Sequence, residues 1–190
     1  MVVAATRRLP RSQRREQIVA AATRTFARNG FAATNLDDIA AEAGISRAIL
    51  YRHFDSKTDL YRAVLDSACQ RLIAATGADQ ITEQSIAGLL AAAAEDPAGF
   101  RLLFHHAAHE PEFRQAMDRF HADMTAVAHK HLVAEIPDLA WAAWAAALVP
   151  TVAIAAVTAW LDAGRPDPDH AADRVRDAIY GVIAAAQRRP

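Results

Sequence analysis

The sequence is short of the features that hold most small proteins to an obvious job. It has one cysteine, Cys69, in 190 residues. An intrachain disulfide is thereby excluded, and a reducing, cytoplasmic setting is expected. Cys69 falls on one helical face with Leu60, Val64, Leu65 and Leu72, so a small core residue is the expectation rather than a reactive thiol. No run alternates apolar and polar residues between turn signals. Apolar residues instead recur every three or four positions, which reads as an all-helical chain. No apolar stretch follows the N-terminal arginines, so no signal peptide is expected. A glycine-rich phosphate loop, a nucleophile motif and a paired metal signature are all missing. An enzyme would rest on histidines near acids alone, and neither catalysis nor a cofactor is expected.

Charge is absent from Leu139 to Leu161, 23 residues that are long enough to cross a bilayer. Ten of them are alanine and Pro150 interrupts the middle, so the leucine-rich character that favours insertion is lacking. A helix apolar nearly all round then belongs in a core or a subunit contact, and no membrane partner is expected. What is present is a charge asymmetry beneath the net charge of −1. Residues 1–60 carry ten Lys/Arg against six Asp/Glu, and Arg7, Arg8, Arg11, Arg14 and Arg15 precede the first acid, Glu16. A basic end on an acidic body suits a polyanion, although a solvated tail has the same composition.

Caps mark the helices. A first is expected over about 12–29, closed by Asn29-Gly30, and a second over 36–43, capped by Asn35. Ser46 caps a third to about His53, and Ser56 caps a fourth to about Ala75. After a loop around Gly77, Thr82 starts a fifth. Asp96-Pro97, Glu110-Pro111, Pro137 and Asp167-Pro168 open the sixth to ninth, with proline where a missing N–H costs nothing. Two domains are expected, 11–56 and 57–190, joined by the fourth helix as a stiff connection.

Short helix, glycine turn and short helix make a helix-turn-helix, with Leu36, Ile39, Ala40, Ile45, Leu50 and Phe54 as its interior. The other residues of "AEAGISRAILYRHFDSK" (41–57) cannot all be core. Arg47 and Tyr51 share a face, as do Ala48 and Arg52. Arginine can pair with guanine O6 and N7, and small apolar groups can meet a thymine methyl. Tyr51 and His53 can donate to phosphates, and Lys57 opens the next helix beside free N–H groups.

Residues 12–62 resemble the DNA-binding domain of the TetR (tetracycline-repressor-like) family of bacterial transcriptional regulators. The resemblance rests on F-A-x-x-G-F, D-D-I-A-x-x-A-G-I-S, L-Y-R-H-F and S-K-x-x-L. It implies a homodimeric, usually repressing regulator that binds a palindromic operator in double-stranded DNA through its N-terminal domain and a small-molecule effector through its C-terminal domain. Carried over by motif, Arg47, Ile49 and Arg52 would face bases, and Ser46, Tyr51, His53 and Lys57 would contact phosphates. Asn35 replaces a usual threonine, which touches the phosphate contact there. Ala48 and Ile49 replace a common Gly-Thr pair, which makes the readout more apolar.

The resemblance also assigns the dimer to helices near 138–163 and 168–187. Alanines at 142, 145, 146, 153 and 156 would allow close approach, with Trp141, Trp144 and Trp160 as anchors. Ala172, Val175, Ile179, Val182 and Ile183 form the ninth helix's stripe. Phe100, Leu103, Phe104, Met117, Phe120, Met124 and Trp144 are expected to point inward, as plain core or as the lining of a pocket for an apolar or aromatic ligand. His105 and His109, four apart, suit a metal or a ligand, but zinc needs a third or fourth donor that the sequence does not place. A DNA-binding protein that merely dimerises stays open beside the ligand-responsive reading.

Overall fold

The computed structural model describes residues 9–77 and 82–188. Arg7 and Arg8 of the basic run lie outside the described residues. Among those described, every regular element is helical: α1 (Arg11–Ala33), α2 (Leu36–Glu42), α3 (Arg47–Tyr51), α4 (Lys57–Thr76), α5 (Glu83–Glu95), α6 (Pro97–Arg101), α7 (Arg114–Leu132), α8 (Leu139–Asp162) and α9 (Ala171–Gln187). The chain divides into two compact units between Ser67 and Ala68, a point inside α4.

In the first unit, Ile18, Ala22 and Phe26 of α1 form a fully buried stripe. Ile39, Leu50, Phe54, Leu60, Tyr61 and Val64 close over it. Phe26 and Tyr61 meet edge to face at 4.8 Å, a geometry that adds to the burial of both rings. The first helix breaks where expected, at Gly30, whose φ of 77° only glycine adopts without strain. A last turn follows, and DNA-independent chemistry closes it: the Thr34 hydroxyl donates to the Gly30 carbonyl at 2.7 Å. Asn35 accepts from the Asp38 N–H and Asp38 accepts from that of Asn35, a reciprocal cap. Leu36 and Ile45, expected inside, are half-buried, whereas Ala40 is buried and lets α2 and α3 approach.

The second unit is built around α8, which packs on α5, α7 and α9. Its inward face is Ala142, Ala145, Ala146, Val149, Ala153, Val157 and Leu161. It is the one helix among the described residues long and apolar enough to cross a membrane, with a third of its most apolar window, 33%, buried. At Gly88 of α5, a Cβ would lie 1.9 Å from the Ala75 carbonyl of α4, so the crossing tolerates glycine alone.

Thr82 and Asp96 cap α5 and α6 as expected. The seventh and ninth helices begin three residues late. Glu110 accepts from the Phe113 N–H, and Asp167 from that of His170. Each proline therefore occupies the second position of a turn that precedes the helix, the other place where its fixed φ is welcome. Pro137 likewise lies outside α8, which Asp138 caps through the N–H groups of Ala140 and Trp141. Between α6 and α7 the backbone widens into a π-helical turn (Leu102–His106) and then tightens into a 3₁₀ turn (Ala107–His109).

Candidate functional site

α3 is five residues long, too short to persist without its surroundings. Leu50 holds it, fully buried, with Phe54 beyond its end. Gly44, at φ 64°, turns the chain between α2 and α3, and the Ile45 N–H returns to the Ala40 carbonyl at 3.0 Å. Gln17 of α1 braces the same turn by donating to the Ala43 carbonyl at 2.7 Å. Glu42 holds it from the other side through Arg24 and Arg28. The Arg24 hydrogen bond is the main force keeping the Glu42 carboxyl below its ordinary range.

With Leu50 inward, Ser46, Arg47, Ala48, Tyr51 and Arg52 are exposed, and Ile49 and His53 are half-buried. The expected candidates are thus brought to one surface. Ser46 occupies the N-cap position, but its hydroxyl makes no capping bond, which corrects the expectation that it caps α3. Arg47 donates to Asp37 at 3.2 Å and to the Tyr51 hydroxyl at 3.4 Å. Tyr51 first, then Asp37, stabilises the charged guanidinium. Sequence reasoning missed Asp37 as the group that holds this arginine, although ten residues back on the capped helix it was in plain view. Burial first, then the charges of Arg11, Arg52, Arg14 and Arg15, hold the His53 imidazole below its usual range.

Lys57 is placed differently from the expectation. Its ammonium donates to the carbonyls of Phe31 at 2.9 Å, Thr34 at 3.0 Å and Ala32 at 3.4 Å, and lies 4.5 Å from the Phe31 ring centroid. The break at Gly30 leaves those carbonyls without helical partners, and the lysine satisfies them. Asn35 directs its carbonyl oxygen at Asp38.

In the second unit, Phe100, Leu103 and Met117 are buried, and Phe104, Phe120 and Met124 are half-buried. Phe100 meets Phe104 at 4.8 Å and Phe104 meets Phe120 at 6.2 Å, a continuous aromatic chain. A cleft beside Phe100 and Leu103 is lined further by Ala68, Leu72, Ala92 and the ion-paired Arg71 and Asp96; it has room for about one or two waters. Trp144 does not point inward. It is 42% exposed and packs edge to face on Trp141, itself 47% exposed.

The histidine pair is also rearranged. His105 Nε2 is 3.2 Å from the Thr158 hydroxyl, and His109 Nδ1 donates to the His105 carbonyl at 2.7 Å. The π and 3₁₀ turns break the 3.6-residue period on which a shared face depends. No group of three metal-competent side chains occurs among the described residues.

Residues 18–64 match the model of the bacterial regulatory proteins, tetR family. The chain is 37% identical over 107 residues to the HTH-type transcriptional activator FasR of Mycolicibacterium smegmatis, covering 52% of this chain and 49% of that protein. It is 49% identical over 53 residues to the HTH-type transcriptional regulator TtgR of Pseudomonas putida, covering 28% and 25%. The chain thus matches about half or less of the length of these relatives. A TetR-like transcriptional regulator from Rhodococcus sp. RHA1 has a similar fold, with a TM-score of 0.81 over 93% of this chain and 99% of that one, at 23% identity. A transcriptional regulator from Aquifex aeolicus superposes with a TM-score of 0.73 over 89% and 99%, at 15% identity.

Proposed function

We propose that this chain, which belongs to the tetR family of bacterial regulatory proteins, is a homodimeric repressor that leaves a palindromic operator when a small apolar or aromatic effector binds. One observation carries the reading. A five-residue helix is pinned by one buried leucine and turns Ser46, Arg47, Ala48, Tyr51 and Arg52 outward. In DNA, Arg47 exchanges Asp37 for a base edge, and Ala48 and Ile49 supply apolar contact to thymine methyls. Ser46, with its hydroxyl uncommitted to the cap, contacts a phosphate together with Tyr51 and His53. Asn35 has its amide N–H₂ left for a phosphate. Lys57 contributes through its charge and its backbone N–H at the start of α4.

Dimerisation is supported by what α8 and α9 leave uncovered. Leu139, Trp141, Trp144 and Tyr180 are exposed large side chains, and Ala147, Thr151, Ala155 and Ala159 form an exposed stripe of small residues four apart. The alanines expected to make this contact, at 142, 145, 146 and 153, are buried within the chain itself. The effector reading draws on the aromatic chain Phe100–Phe104–Phe120. A coupling of about 1–3 kcal/mol between effector and operator would change affinity roughly 5–150-fold.

The test is enrichment of DNA from a random duplex pool by the purified chain. The expected product is a two-fold-symmetric consensus with half-sites about one helical turn, 34–36 Å, apart. Recovery without any consensus would overturn sequence-specific regulation.

A further inference from the structure

Two groups of arginines stand apart in the described part of the first unit. Arg24 and Arg28 pair with Glu42, and Arg47 pairs with Asp37. Arg11, Arg14, Arg15 and Arg52 have no carboxylate partner among the described residues, and all four bear on one imidazole, that of His53. They come from two helix ends. Arg11, Arg14 and Arg15 occupy the first turns of α1, where the first turn holds no acid and no side chain caps the helix. Arg52 closes α3, with His53 next in line.

Contacts fix this arrangement. The Arg15 guanidinium lies 4.8 Å from the centroid of Phe54, the buried ring beside His53. Arg14 donates to Gln17 at 2.7 Å, and Gln17 is in turn tied to the Ala43 carbonyl. Arg11 and Arg15 stand four apart, one above the other on α1. A helix start carries positive partial charge and favours acids. Three guanidiniums at that start and a fourth at the end of α3 repel one another around a part-buried imidazole, and no carboxylate among the described residues offsets them. Such local conflict is the mark of a surface shaped for something that arrives later.

Resting on the reading of α3 as the base-reading helix, we propose that Arg11, Arg14, Arg15, Arg52 and His53 form a second seat for DNA, one that grips the phosphodiester backbone flanking the groove α3 enters. The chemistry is that of successive phosphates rather than bases: each guanidinium is a fork-shaped donor that matches phosphate oxygens. A proton linkage accompanies the seat. The charges that bear most on His53 from the elements around it, Arg11, Arg14 and Arg15 of α1 and Arg52 of α3, are all positive and oppose its protonation. Phosphates entering the seat neutralise them and favour the imidazolium. Binding therefore takes up a proton, and affinity rises as pH falls toward the imidazole range.

The experiment uses the full chain, a duplex enriched by it from a random pool, and a scrambled duplex of equal length. Arg11→Gln/Arg15→Gln should weaken both duplexes by a common factor, on the order of tenfold or more, and lower the salt slope by about two. Arg11→Gln alone, which leaves the Arg15–Phe54 contact in place, should lower the slope by about one. Circular dichroism melting confirms that each variant folds. Wild-type affinity should rise roughly threefold or more from pH 8 to pH 6, and His53→Gln, which keeps a donor, should flatten that rise. Unchanged slopes in both arginine variants, with sequence preference still lost in Arg47→Ala, would overturn the seat and leave the α3 reading standing. A His53→Gln variant with the wild-type pH dependence would remove His53 from the seat. A wild-type chain that retains no duplex would overturn both readings.

Discussion

α3 and α8 solve opposite problems with the same kind of small residue. α3 has five residues and one fully buried side chain, Leu50; its other side chains are exposed or half-buried. α8 has 24 residues and buries a face made of four alanines, two valines and a leucine, leaving a second small-residue face on its other side. In α3 an alanine at position 48 is outward because the single anchor leaves it nowhere else to go. In α8 an alanine at 146 is fully buried while its neighbour Ala147 is exposed, and composition alone does not separate them. One anchor per helix makes roles distinct; a helix apolar all round makes them interchangeable until packing chooses.

The strongest way to break this contrast is to remove the anchor. Leu50→Ala should cost about 2–5 kcal/mol, the range for truncating a buried leucine, and should lower the urea midpoint of the first unit while abolishing DNA binding. Overpacking α8 comes next. Ala146→Leu, into a fully buried site, should cost about 1–3 kcal/mol, whereas Ala147→Leu should leave the denaturation midpoint in place and alter self-association in sedimentation equilibrium. Equal midpoints for the two would erase the distinction between the faces of α8.

Arg47→Ala sharpens the other side of the comparison. On the order of ten- to a hundredfold should be lost from affinity for the enriched duplex and little from the scrambled one, with an unchanged melting temperature because the Arg47–Asp37 pair is exposed. The smallest effect belongs to Asp37→Asn. Removing the carboxylate that holds Arg47 should raise operator affinity about two- to fivefold in fluorescence anisotropy; a decrease would mean that Asp37 positions the arginine for its base.

The same contrast explains what was legible beforehand. Asn35, Thr82 and Asp96 could be read as caps because one side chain bonds to backbone close by, a local event. The prolines at 111 and 168 are expected to open helices but sit in the preceding turns, because a turn and a first helical position welcome the same φ. Trp144 fits the sequence both as an interface anchor and as an inward residue, and it lies outward against Trp141. The π turn over Leu102–His106 left no mark in the sequence, and it displaced His105 and His109 from the common face that their spacing suggested. The arginines of α1 were visible as a charge run; their convergence on His53 needed the folded crossing of α1 with the end of α3.

The close crossing at Gly88 sets a limit on how this chain can be redesigned. Any library that randomises α5 would find position 88 closed to every side chain, since the carbonyl of Ala75 already fills the volume a methyl would need. Variation belongs at the exposed Gln84, Ala87 and Ala91, where a new side chain meets solvent rather than backbone.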